Sequence, residues 1–236
     1  SNLVCGDGGV EGVVVEIGKR MSEISVDGDL ITAQAGALLS GIAAKAAAEG
    51  LTGFEFAAGI PGSIGGAVVM NAGAYGGEMK QVLASVQVLT REGEVLTIPA
   101  SELELSYRHS IVPEKGYIVL SAVLSLEKGE KSQIYAVMED LKKKRVEKQP
   151  LEYPSAGSTF KRPEGHFAGK LIEDAGLKGF RVGGAQVSEK HSGFVINRDH
   201  ATSAEICSLM EQVQQKVLEK FGVRLEPEVK FVGKHI

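Results

Sequence analysis

Residues 59–77 read GIPGSIGGAVVMNAGAYGG. Seven glycines and one proline in nineteen residues argue against an ordinary helix or a central strand. Glycine costs a helix about 1 kcal/mol relative to alanine and gives a strand no side chain to pack. It does allow positive φ and a close approach of ligands to main-chain N–H groups, so the stretch suits a loop that wraps an anion or lies flat against a planar ring. For an isolated Gly-Gly pair, a tight crossover between packed elements would suffice. Over this length, with Ser63 and Asn71 as hydrogen-bonding groups, a bound cofactor is the better reading. The stretch is neither a dinucleotide fingerprint of the GxGxxG kind nor a P-loop, because no Gly-Lys-Ser or Gly-Lys-Thr closes it.

The 236 residues suffice for one large or two modest domains with an ordinary apolar core. A net charge of −4 and a pI near 5.8 give no basic footprint for nucleic acid. No apolar run approaches the ~20 residues that span a bilayer, so no membrane partner is expected. Cys5 and Cys207 lie far apart without metal-ligand spacing, which fits a reduced, cytoplasmic protein with no metal.

Working outward, residues 3–5 and 13–17 read as short strands around the turn Gly6-Asp7-Gly8-Gly9. Asp27-Gly28 between apolar runs at 23–26 and 30–35 predicts a hairpin. The alanine-rich 38–49 predicts a helix ended by Gly50, and strands follow at 83–90, 95–98 and 117–126. Ile134, Val137, Met138 and Leu141 recur at helical spacing within 131–148, which Pro150 stops. Further on, 165–175 reads as a helix and 179–187 as a glycine-punctuated strand region. Thr202 and Glu205 form a capping box opening a core helix with Ile206, Met210, Val213, Val217 and Phe221 on one face, ended by Gly222.

Three segments stand out chemically. Ser106-Tyr107-Arg108-His109-Ser110 is a polar knot in an apolar neighbourhood; alone, it would be a surface arginine beside a core-edge tyrosine. SAGSTFKRP at 155–163 would be a serine-rich turn, since no Gly-x-Ser-x-Gly elbow marks a hydrolase nucleophile. EPEVKFVG at 226–233 would be an edge strand with solvated charges, and His191 reads as a surface loop residue.

Residues 59–77, 155–163 and 226–233, in that order and spacing, resemble the three signatures of the UDP-N-acetylenolpyruvoylglucosamine reductase (MurB) family. The uninterrupted path from 117 to 150 resembles the subtype lacking an extra tyrosine-bearing loop. The resemblance implies an α+β protein. A PCMH-type FAD-binding domain would occupy 1–145, largely its second subdomain with the first mostly missing. A MurB C-terminal substrate domain would occupy 146–222, and a terminal strand carrying the catalytic acid 223–236.

The resemblance also implies roles. Arg108, Ser158 and Glu228 match catalytic positions. FAD contacts fall on Ser1, Asn2, Pro61, Gly62, Ser63, Gly65, Gly66, Asn71, Gly73, Ala74, Tyr75, Gly76, Arg145 and Lys230, the last standing where the family often has arginine. Tyr107, Lys148 and Arg162 match substrate-site positions. The implied cofactors are FAD and NADPH, and the implied substrate is UDP-N-acetylglucosamine enolpyruvate, reduced to UDP-N-acetylmuramate by a monomeric enzyme. Two alternatives remain at this point. The chain could be a truncated fragment that binds the UDP-sugar without flavin or activity, or another flavin oxidase; the latter is disfavoured because no histidine or cysteine in 59–77 could tether flavin covalently.

Overall fold

The computed structural model describes residues 2–234. In chain order, strand β1 (Leu3–Cys5) is followed by β2 (Ile24–Asp27), β3 (Leu30–Gln34), helix α1 (Leu39–Ala48), β4 (Leu51–Thr52), α2 (Ile64–Val69), β5 (Gly73–Ala74) and β6 (Gly77–Glu78). Next come β7 (Leu83–Leu89), β8 (Val95–Pro99), α3 (Val112–Lys115), β9 (Ile118–Ser125), β10 (Glu127–Lys128) and α4 (Lys131–Lys148). The remainder is β11 (Ser155–Ser158), α5 (Ala168–Asp174), β12 (Arg181–Val182), β13 (Ala185–Val187), β14 (Phe194–Asn197), α6 (Ser203–Phe221) and β15 (Lys230–Val232). Two compact units result: Val15–Arg145, and the described residues up to Val14 together with those from Val146 onward.

In Val15–Arg145 a five-stranded antiparallel sheet runs β2-β3-β9-β7-β8. Asp27 pairs with Leu30, so the hairpin loop is Gly28-Asp29, one residue later than the Asp27-Gly28 signal, and Gly28 takes φ 63° as such a loop requires. Ile31, Ala33, Val86, Val88, Ala122 and Leu124 bury one sheet face in a core shared with α1, which contributes Leu39, Ile42, Ala43 and Ala46 at helical spacing.

The glycine-rich stretch is not wholly irregular, because six of its residues form α2. Burial of Ile64, Ala67 and Val68 outweighs the propensity cost of Gly65-Gly66. Gly65 is there for packing, since a Cβ would lie 3.0 Å from the Ala35 Cβ and 3.1 Å from its carbonyl oxygen. The expected strand at 13–17 is absent. Val13, Val14 and Val15 are exposed, and without a neighbouring strand among the described residues an isolated extended segment has no ladder to hold it. Helix α4 forms as read, but of its apolar positions only Ile134 is fully buried.

In the second unit a four-stranded antiparallel sheet runs β11-β14-β13-β12, and β1 pairs in parallel with β15. Helix α6 packs Leu209, Met210, Val213 and Val217 with Leu171 and Ile172 of α5 and Ala185, Val187 and Val195 of the sheet. The capping box forms: Thr202 Oγ1 accepts the Glu205 N–H at 3.1 Å and Glu205 Oε2 accepts the Thr202 N–H at 3.0 Å. Asp7 Oδ2 adds two more acceptor contacts at this terminus, from the Ser203 N–H and Oγ, both at 2.8 Å. Gly222 ends the helix at φ 69°. Among the described residues, no helix is long and apolar enough to cross a membrane.

Candidate active site

Residues 59–77 contain glycines of two kinds. At Gly73 a Cβ would meet the Gly77 carbonyl oxygen at 2.6 Å, and at Gly77 it would meet the Phe56 ring at 2.5 Å, so packing demands both. At Gly66 and Gly76 a Cβ would meet nothing within 4 Å among the described residues. Gly62 (φ 142°) and Gly76 (φ 89°) also need glycine for their backbone. Ser63 precedes α2 without capping it by a side-chain hydrogen bond. Open glycine faces beside a polar hydroxyl fit a flat, hydrogen-bonding group such as a flavin.

Arg145 is half-buried against this segment. A Cβ at Gly59 would lie 3.1 Å from its Cδ. Burial pulls the guanidinium pKa down while the neighbouring Tyr75 acts in the opposite direction, and an arginine stays charged in either case. A fixed cation beside an open glycine cradle suits an anionic or electron-rich cofactor.

Tyr107 and Arg108 occupy the two-residue loop of a tight turn closed by Ser106 and His109, whose backbones bond at 3.3 and 3.1 Å. The Arg108 Cζ sits 5.0 Å from the centre of the Tyr107 ring. Among the described residues five non-glycines have positive φ, and Asn71, Tyr75 and Arg108 are three of them. Such conformations cost of order 1 kcal/mol or more and collect where function fixes the backbone. Asn71 is wholly buried, and its amide bonds to Glu78, Ser106 and Lys80 within this unit.

In the second unit, β11 pairs with β14 through an irregular register, with Gly157 at φ 78° just before Ser158. The irregularity leaves Ser158 exposed while Thr159 is buried. Thr159 gathers the neighbourhood. Its N–H donates to the Gly193 carbonyl at 2.9 Å, its Oγ1 accepts the Val195 N–H at 2.8 Å, and its carbonyl accepts the Glu228 N–H at 2.8 Å. Lys161 N–H to Glu226 O, at 2.8 Å, continues the pairing. Ser158 and Glu228 are thereby brought to one edge of the unit. A cavity of about 310 Å³ is walled by Ala156, Thr159 and Val229 but by neither Ser158 nor Glu228, so it lies behind that edge.

Around this edge, the Arg162 Cζ stacks 4.0 Å from the centre of the Phe167 ring, and the Lys230 N–H donates to the Asn2 carbonyl at 2.8 Å. Ser1 lies outside the described residues. Lys148 is exposed in the last turn of α4, near enough to His191 to bias its charge. His191 is half-buried rather than a surface loop residue. Its Nδ1 accepts the Gly193 N–H at 3.1 Å and its ring meets Phe194 edge-on at 4.9 Å. Burial is the main cause that lowers its pKa.

Sequence reasoning missed Thr159, Ser110 and Glu78. The available signal was weak: each is a polar residue beside glycines or other polar residues, a pattern that surface positions share.

Two family models match the chain: the UDP-N-acetylenolpyruvoylglucosamine reductase C-terminal domain at residues 149–232 and an FAD binding domain at residues 1–99. The UDP-N-acetylenolpyruvoylglucosamine reductase of Agathobacter rectalis is 60% identical over 245 residues, covering 99% of this chain and 78% of that protein. That of Lachnoclostridium phytofermentans is 56% identical over 240 residues, covering 100% of this chain and 77% of its own length. The crystal structure of the Thermus caldophilus UDP-N-acetylenolpyruvylglucosamine reductase superposes with a TM-score of 0.87 at 35% identity, over 98% of this chain and 82% of that one.

Proposed function

Because the chain belongs to the UDP-N-acetylenolpyruvoylglucosamine reductase family, we infer that it reduces the enolpyruvyl ether of UDP-N-acetylglucosamine to UDP-N-acetylmuramate, a step of peptidoglycan precursor synthesis. When bound, FAD reduced by NADPH would supply the hydride for C3 of the enolpyruvyl group. Matches to both the flavin-binding and the C-terminal family models weigh against a fragment that binds the sugar nucleotide alone.

The chain's own residues bind, orient and protonate. Gly62, Ser63, Gly66, Ala74, Tyr75 and Gly76, with Pro61 at the bend and Arg145 behind them, would hold the flavin, and Asn2 and Lys230 would complete its binding. Arg108, whose planar fork matches a carboxylate, would grip the substrate's enolpyruvyl carboxylate as negative charge accumulates there, with Glu228 assisting. Ser158 Oγ would deliver the proton to C2. A serine hydroxyl is a weak acid, so its neighbours must position it and stabilise its developing charge. Tyr107, Lys148 and Arg162 would bind the sugar nucleotide, and the phosphates suit the two cations. The reading is of a cytoplasmic, monomeric enzyme serving wall growth, cell shape and division.

The observation that carries these roles is the Thr159–Glu228 backbone bond, which ties the putting-in-place of Ser158 to that of the acid. Ser158→Ala should bind FAD and be reduced by NADPH at the normal rate. Its reoxidation by the enolpyruvyl ether should slow by about 10²–10⁴-fold, the scale of one positioned proton donor. Normal reoxidation in that variant removes Ser158 from the acid role.

A further inference from the structure

Asn71 has three hydrogen bonds from one wholly buried amide. Nδ2 donates to Glu78 Oε2 at 3.1 Å and to the Ser106 carbonyl at 3.0 Å, and Oδ1 accepts the Lys80 N–H at 2.8 Å. Glu78 ends the β5–β6 hairpin that closes the glycine-rich segment, and Ser106 opens the turn carrying Tyr107 and Arg108. The Ser106 carbonyl also accepts the His109 N–H at 3.1 Å, so one oxygen receives both the bond that closes the turn and the bond from Asn71.

A second brace lies on the other side of the turn. The buried Ser110 hydroxyl donates at 2.8 Å to the carbonyl of Val69, the last residue of α2. Between the braces Arg108 sits at φ 56°, a left-handed conformation that a non-glycine residue keeps only where its surroundings over-determine it. Both braces run to the glycine-rich segment.

We infer that Asn71 is a positioning residue: with Ser110 it locks the Arg108 turn to the glycine-rich segment, so that the guanidinium and the open glycine faces hold one fixed separation. Both Nδ2 hydrogens are spent within the chain, on Glu78 and on the Ser106 carbonyl of the Arg108 turn, so the amide's donors act on the turn. The catalytic consequence rests on the role given to Arg108 under the proposed function; the mechanical brace does not.

Two variants test it. Asn71→Gly keeps φ 41° accessible while removing the side chain with its three bonds, and Ser110→Ala removes the second brace with a smaller change should the first variant not fold. In the protein without flavin, hydrogen exchange at the His109 amide should speed up by at least about tenfold, while the amides of β3 and β9 keep their protection. In the FAD-loaded Ser110→Ala protein, reduction by NADPH should stay within about twofold, and reoxidation by the enolpyruvyl ether should slow by about 10–100-fold, the scale of a misplaced binding group. Unchanged His109 exchange overturns the brace. Parallel loss of both half-reactions overturns the selective link to Arg108. If wild-type reduced protein is not reoxidised by the ether at all, the functional reading fails, and the exchange result still judges the brace.

Discussion

The Glu228 N–H donates to the Thr159 carbonyl at 2.8 Å, which stitches the C-terminal acid to the residue following Ser158. Thr159 spends its hydroxyl on the same task, accepting the buried Val195 N–H at 2.8 Å. Thr159→Val is nearly isosteric but leaves that N–H without an acceptor, at a cost of about 1–3 kcal/mol. For a chain of this size each kcal/mol shifts Tm by about 2–4 °C, so a fall of roughly 2–12 °C is expected by calorimetry. Thr159→Ser should keep most of the stability. An unchanged Tm in the valine variant would mean that the hydroxyl does not hold this edge together.

The two kinds of glycine predict opposite outcomes. Gly66 lies inside α2 with open space where a Cβ would go, so Gly66→Ala should stabilise the protein without flavin by up to about 1 kcal/mol. The same methyl would occupy the cradle, and FAD affinity measured by fluorescence quenching should drop at least about tenfold. Gly77→Ala drives its methyl to within 2.5 Å of Phe56 and should lower Tm whether or not flavin is added. Equal FAD affinity in wild type and Gly66→Ala would remove that face from the cofactor site.

His191 should respond to pH. Burial is the largest cause lowering its pKa, with Lys178 and Lys148 acting in the same direction against its backbone hydrogen bond and Glu173. Its ordinary value is 6.5, so the unfolded chain takes up a proton at a higher pH than the folded one. Stability from this group is complete above about pH 6.5, is lost as pH falls from there toward the lowered folded value, and levels off below it. An NMR titration should place the His191 midpoint below 6.5, and His191→Gln, which keeps an acceptor for the Gly193 N–H, should flatten the acid limb of the stability curve. A midpoint at or above 6.5 would contradict the burial argument.

Asp7 reaches across 196 positions to Ser203 at the start of the 19-residue helix α6. A carboxylate there accepts orphan N–H groups and faces the positive end of the helix dipole. Asp7→Ala should cost about 0.5–2 kcal/mol, with the Thr202–Glu205 capping box still intact. No change in denaturant midpoint would show that the box alone caps α6.

Elements specified by local chemistry were legible in the sequence. The Asp27–Leu30 hairpin, α1 ending before Gly50, and the Thr202–Glu205 box each depend on a few neighbouring residues, and each formed within a residue or two of its reading. Features set by distant partners were not. The valines at 13–15 read as a strand because their composition is that of one, but a strand also needs a pairing edge, which no local pattern reports. Helix α2 formed inside a glycine-rich run because Ile64 and Val68 are buried by residues far along the chain. The candidate site divides the same way. Ser158, Glu228 and Arg108 were assigned through the resemblance to the reductase family, since by themselves their segments read as a turn, an edge strand and a surface arginine. Asn71 read as a cofactor contact from its place in the glycine-rich run; its bonds to Ser106 and Glu78 were not legible because those partners are set by tertiary structure, and Thr159 passed unnoticed because its role is a hydrogen bond to Val195, 36 positions away.

The proposed function turns on one coupling, that of NADPH oxidation to reduction of an enolpyruvyl ether through FAD. The most direct test is an anaerobic single turnover followed by flavin absorbance: load the protein with FAD, bleach the oxidised band with one equivalent of NADPH, then add UDP-N-acetylglucosamine enolpyruvate. The band should return in step with formation of UDP-N-acetylmuramate. A flavin that binds and bleaches but stays reduced after the ether is added would contradict the claim.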